Sequence, residues 1–175
     1  MAVSLKFHPW GEAVRQVVSR ASVANPWRRL TAFLIDVVPI TVLVFVVAYS
    51  FTGFQETFDS WWENREDLEV RAMFLKQRNA LRFIAGVLYF LYAVVMEASR
   101  WQGTIGKRLL RTIVVNDAGE RMTMPRSFER NAMKMFSVIP AFIGCVAALF
   151  HPYKQAWHDR IAHTYVLNSR ARKGQ

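Results

Sequence analysis

Hydrophobic positions in this chain gather into long runs separated by charged segments. The first run, Leu30 to Phe51, holds 22 residues and one ionised group, Asp36. A bilayer core of about 30 Å takes roughly 20 residues at 1.5 Å each, so this run is long enough to cross. Val42, Val44, Val46 and Val47 would favour a strand in water. In lipid a lone strand cannot satisfy its backbone, so the run is helical. A second span covers about Leu81 to Ala98, with its clean stretch between Arg82 and Glu97. Arg82 can snorkel to one interface and lengthen the span. The third apolar stretch, Met135 to Phe150, has 16 residues and is interrupted by Pro140 and Gly144. It covers roughly 24 Å, short of a full crossing. The pattern therefore predicts an all-α integral membrane protein. It has two full transmembrane helices, spans 30–51 and 81–98. A third short, Pro-broken element within 132–150 either tilts or re-enters.

The polar connections carry their own signals. Thr112 to Asn116 reads as a strand, Asp117 to Glu120 as a turn, and Arg121 to Met124 as the returning strand of a small cytoplasmic β-hairpin. Thr164 to Asn168 is a further β-prone run, and a third strand would support a hairpin that is marginal alone. The external loop, 52–80, spaces Phe58, Trp61, Trp62, Leu68, Ala72 and Leu75 in a helical manner, and 68–98 can form one long helix. Trp61 and Trp62 suit an interface belt. Residues 13–23 can form an amphipathic surface helix within the N-terminal segment 1–24. No signal peptide is expected there, because Arg15 and Arg20 interrupt the apolar residues.

Composition narrows the class. With 53% hydrophobic and 14% aromatic residues the chain is not disordered, and a single cysteine, Cys145, excludes a disulfide framework. The net charge of +10 divides unevenly: segments 1–29, 99–134 and 151–175 carry +4, +5 and +4, whereas 52–82 carries −1. Loop charge of this kind places the basic segments, and hence both termini, in the cytoplasm and the acidic loop outside. The basicity reads as membrane topology, and no nucleic-acid partner is expected. Three simple crossings would put the C-terminus outside, so a re-entrant third element fits the charge better.

Three motifs occur in order: Trp27-Arg-Arg-Leu-Thr-Ala-Phe-Leu-Ile-Asp36; Gly103-Thr-Ile-Gly-Lys-Arg-Leu-Leu110 with Arg130-Asn131 beyond it; and His158-Asp-Arg-Ile-Ala-His-Thr-Tyr-Val166. Together they resemble the RDD family of small, mostly bacterial membrane proteins over about 25–168, leaving 169–175 as a basic tail. The arginine and two aspartates that name the family fall on Arg29, Asp36 and Asp159. The family often has glycine where Arg111 and His163 stand, which puts local turn geometry in question at both. The resemblance implies a bacterial inner membrane. Its members imply either exchange of monovalent cations for protons or service as accessory subunits of larger membrane assemblies.

Asp36 lies seven residues after Arg29, on nearly the same helix face and about 10 Å deeper. An intramembrane carboxylate must be paired, hydrated or protonated. Balanced between desolvation and a nearby cation, it can exchange a proton for Na⁺ or K⁺. Pro39 donates no hydrogen bond to the Ile35 carbonyl, which would supply a second oxygen. Alternatively Asp36 pairs with Arg29 or Arg130 and locks helices. Glu97 is either a second carboxylate of such a cation site or an interfacial acid facing Arg100 or Lys107. Asp159, beside His158 and four residues before His163, reads as a buried salt bridge or helix cap tied to Arg29 or Arg130. Thr104 is the expected N-cap of a short helix whose Lys107, Arg108 and Arg111 meet anionic headgroups. Spacing gives no metal site, no cofactor motif and no nucleophile arrangement, so no enzyme is expected. The favoured expectation is cation/proton exchange by a homo-oligomer; the alternative is a non-catalytic subunit of a larger complex.

Overall fold

A computed structural model describes residues 23–138 and 154–169. The chain is mostly helical: α1 (Pro26–Phe51), α2 (Phe54–Glu63), α3 (Leu68–Ala98), α4 (Ile105–Leu109), β1 (Thr112–Asn116), α5 (Met124–Val138), α6 (Trp157–Ile161) and β2 (Thr164–Asn168). Both α1 and α3 are long and apolar enough to cross a membrane. They start earlier than the apolar runs alone indicate, for local reasons. The Asn25 side chain accepts from the Trp27 N–H at 3.2 Å, and Pro26 stands where a missing N–H costs nothing. Asp67 caps α3 by accepting from the N–H groups of Glu69 and Val70 at 2.8 and 3.3 Å. Residues 68–98 do form one helix.

The described chain divides into two compact units. The first, 34–91, contains most of α1, all of α2 and most of α3. Gly53, at φ 71°, reverses the chain between α1 and α2. Its core is aromatic: Phe54 and Phe74 are buried with Ala48, and Phe45, Phe58, Trp61 and Leu81 pack around them. Trp61 stacks on Phe74 at 4.4 Å between ring centroids. Arg65 lies 4.9 Å from the Trp61 ring and 4.1 Å from the Trp62 ring. A 360 Å³ apolar cavity opens between Val42, Phe45, Val46, Tyr49, Phe54 and Phe58.

The second unit contains 23–33 and the described residues from Tyr92 onward. Its sheet corrects the predicted hairpin. β1 pairs antiparallel with β2, Thr112 opposite Asn168 and Asn116 opposite Thr164. The turn after β1 forms as expected, closed by Asn116 N–H to Glu120 C=O at 3.0 Å and Glu120 N–H to the Asn116 side chain at 2.7 Å. Residues 121–123 then leave the ladder, and α5 begins at Met124 with Pro125 in its first turn. The physical reason is burial on both faces. Val23 bridges to Leu167, so β2 lies between Val23 and β1. Val23, Ile113, Val115 and Leu167 pack on one face, and Ala24, Val114, Met122 and Val166 on the other. Met122 thus enters the core as a side chain, where the hairpin reading made it a strand residue.

Of the third apolar stretch, residues up to 138 belong to α5, which starts well before it. Pro140, Gly144 and Cys145 lie outside the described residues, as does the amphipathic helix predicted over 13–23 up to residue 22.

A buried charge network as candidate functional site

The ends of α1 and α3 bring Arg29 and Glu97 to the second unit, and α4, α5 and α6 supply the rest. Each short element is held in place by its own polar contacts. Thr104 caps α4, accepting from the Lys107 N–H at 3.5 Å. Thr112 Oγ1 donates to the Lys107 carbonyl at 3.1 Å, and Ser127 Oγ on α5 donates to the Val94 carbonyl at 2.8 Å. α6 starts with Asp159 Oδ2 accepting from the Ala156 N–H at 3.3 Å.

Arg130 is the centre, with a side chain 2% exposed. Its Nη1 donates to Glu97 Oε2 at 2.6 Å. Its Nε and Nη2 both donate to Asp159 Oδ1, at 3.0 and 2.6 Å. Arg29 Nη1 donates to Asp159 Oδ2 at 2.7 Å. On Glu97, Oε1 accepts from Lys107 and from Lys134 at 3.0 Å, and Oε2 also accepts from Asn131 Nδ2 at 3.1 Å. Asn131 completes the set by accepting from Lys134 Nζ at 2.7 Å. Both carboxylates are fully buried and every oxygen is engaged. Guanidinium forks suit such sites because they satisfy two carboxylates in fixed geometry.

The electrostatics follow from this packing. Burial alone would raise the Asp159 pKa, but Arg130, His158 and Arg29 hold it well below the usual carboxylate range. Burial pushes the His158 imidazole down to about 3, against the pull of the Asp159 carboxylate, 3.5 Å from Nε2. Burial also lowers the Lys107 ammonium, and Glu97 opposes it. Among the described residues no three His, Cys, Asp or Glu side chains converge as metal ligands.

The network unites Arg29, Glu97, Lys107, Arg130 and Asp159, with His158 at its edge. Asp159 has both expected roles, ion pair to Arg29 and Arg130 and cap of α6. Of the two cations expected at Glu97, Lys107 is present and Arg100 is exposed. Lys107 is therefore not an open surface lysine: the one-turn α4 turns it toward Glu97 and leaves 10% of its side chain exposed, whereas Arg108 and Arg111 are exposed. Arg108 instead lies 5.3 Å from the Trp101 ring. Arg130 engages Glu97 and Asp159, and Asp36 is buried in α1 within the other unit. His163 is exposed, in the turn after α6, so His158 is the imidazole beside Asp159. Arg111 and His163 have φ of 54° and 49°, the left-handed region that glycine occupies without strain. Ser127 and Lys134 were missed, and Asn131 was noted only as part of a motif. The signal was available: Ser127, Arg130, Asn131 and Lys134 recur at helical spacing and form one polar stripe, while Met124 and Phe128 are exposed.

The sequence model of the RDD family matches residues 23–163. The uncharacterized protein YxaI of Bacillus subtilis (strain 168) is 30% identical over 148 residues, covering 82% of this chain and 96% of the relative. No solved structure matches.

Proposed function

The chain belongs to the RDD family of small membrane proteins, and from that premise we propose that it is a non-catalytic assembly subunit of a membrane complex. The observation that carries this reading is the saturation of Glu97. Its two oxygens take donors from Lys107, Lys134, Arg130 and Asn131. A Na⁺ or K⁺ ion would have to displace these cations, so Glu97 serves as a structural anchor and not as half of a cation site. The family's arginine and second aspartate then act together as a lock that fixes the small sheet and α4 to α6 on the ends of two membrane helices. That module presents a basic cytoplasmic face, and the exposed apolar faces of α1 and α3 meet lipid, further copies or partner helices.

In this reading α1 and α3 cross a bacterial plasma membrane with the basic segments inside. Pairing of β1 with β2 supports placing both strands in one compartment. A second reading, cation/proton exchange by a homo-oligomer, retains support from Asp36, which is 6% exposed in α1 and three residues before Pro39. Reconstituted protein separates the two. The assembly reading expects Na⁺ or K⁺ pulses to leave internal pH unchanged, and cross-linking in native membranes to trap a complex of fixed composition. Cation-dependent proton flux that Asp36→Asn abolishes in folded protein would overturn it.

A further inference from the structure

The buried network is not neutral. Four basic side chains, Arg29, Lys107, Arg130 and Lys134, meet two carboxylates, Glu97 and Asp159. By formal charge two positives are in excess among these six side chains, and neither carboxylate has an oxygen to spare. Unbalanced charge in a weakly polar interior is unfavourable, and an anion relieves it. Segments 1–22, 139–153 and 170–175 together contain a single acidic side chain, Glu12, and of the other described acids of this unit Glu120 and Glu129 are exposed and Asp117 pairs with Arg126.

The excess is accessible at one edge. The Arg130 side chain is 2% exposed, but those of Lys107 and Lys134 are 10% and 21% exposed. Both ammonium groups bond the same atom, Glu97 Oε1, so they lie within about 6 Å of each other. An ammonium carries three N–H donors. Glu97 takes one from Lys107, and Glu97 and Asn131 take two from Lys134. The donors that remain among the described residues suit the tetrahedral oxygens of a phosphoryl group. Beside them α4 exposes Ile105 and Leu109, and Trp101 lies nearby with Arg108 against its ring. Apolar side chains next to recessed cations are the pattern of an element at headgroup depth.

We propose that Lys107 and Lys134 form a binding site for a phosphoryl anion, either the headgroup phosphate of an acidic phospholipid or free phosphate. The site does not depend on the assembly reading. Its test uses the full chain in neutral detergent, with phosphatidylglycerol, phosphatidylcholine and inorganic phosphate as probes, read by native mass spectrometry and by the unfolding midpoint. Phosphatidylglycerol should remain bound and raise the midpoint, with phosphatidylcholine at least tenfold weaker. Lys107→Gln with Lys134→Gln should lower phosphatidylglycerol affinity at least tenfold, while Lys134→Arg retains it. Arg108→Gln, on the exposed surface, should change it less than threefold. Millimolar phosphate that competes identifies free phosphate as a ligand; phosphate that does not compete identifies the lipid. Equal binding of the two lipids without a phosphate effect would overturn the site. So would a loss in Arg108→Gln as large as in the lysine variants. If the double variant does not fold, Lys134→Gln alone decides by the same tenfold criterion.

Discussion

Residues 34–91 are held by ring against ring, and the unit of 23–33 with 92–138 and 154–169 is held by charge against charge. In the first, Trp61, Phe74, Phe54 and Phe58 stack or meet edge-on within 4.4–6.2 Å. Such contacts tolerate small shifts, because dispersion is spread over many weak atom pairs. In the second, Arg130 alone satisfies two buried carboxylates. Removing one partner there leaves an uncompensated charge, so the penalty is concentrated on single residues. Among the described residues of this unit the apolar core is the two faces of a short sheet, and the ionic lock adds to it by specifying one arrangement of five elements.

Breaking the lock should have the largest effect. Arg130→Met strands Glu97 and Asp159 together and should cost about 3–5 kcal/mol or abolish folding, measured by unfolding in detergent. An unchanged midpoint would mean that the lock does not hold the module. Acidification should separate the units next. The unfolded His158 titrates near 6.5 and the folded one at about 3, so the unfolded chain binds more protons between these values. The contribution of His158 to the stability of the charged unit is full above pH 6.5 and declines as pH falls toward 3. Below about pH 4 the depressed Asp159 adds to the loss, because its unfolded carboxyl also takes up a proton. The aromatic contacts carry no proton, so near-ultraviolet signals from Trp61 and Trp62 should persist after the charged unit melts. His158→Gln should flatten the slope between pH 6.5 and 4.

Phe74→Ala is the matching cut in the aromatic unit and should cost roughly 3 kcal/mol. It should leave the acid transition where it was. Ser127→Ala removes the bond from α5 to the Val94 carbonyl and should cost about 1 kcal/mol. The smallest effect has the opposite sign. Arg111→Gly and His163→Gly relieve positive φ angles and should each stabilise by about 0.5–1 kcal/mol, seen as a higher unfolding midpoint. A loss at either position would mean that the side chain makes a contact worth more than the strain.

Much of this was legible in the residues. Runs of apolar positions marked both long helices, and Asp159 with Arg29 and Arg130 could be paired because isolated charges near a membrane need partners. Thr104 was readable as a cap, since capping depends on four consecutive residues. The hairpin was misread because turn residues specify only that the chain reverses, not what it pairs with. Lys107 was misread because exposure of a lysine on a one-turn helix depends on what packs against it.

By itself, the sequence determined what depends on near neighbours: helix lengths, caps, the turn at Asn116 to Glu120, and the need of buried acids for basic partners. Only the tertiary structure decided which partners meet. Arg130 reaches Glu97 across 33 positions and Asp159 across 29, and β1 finds β2 in place of the adjacent segment. Those choices are made by competition among distant groups for a few buried oxygens and one buried sheet edge, and local patterns carry no record of that competition.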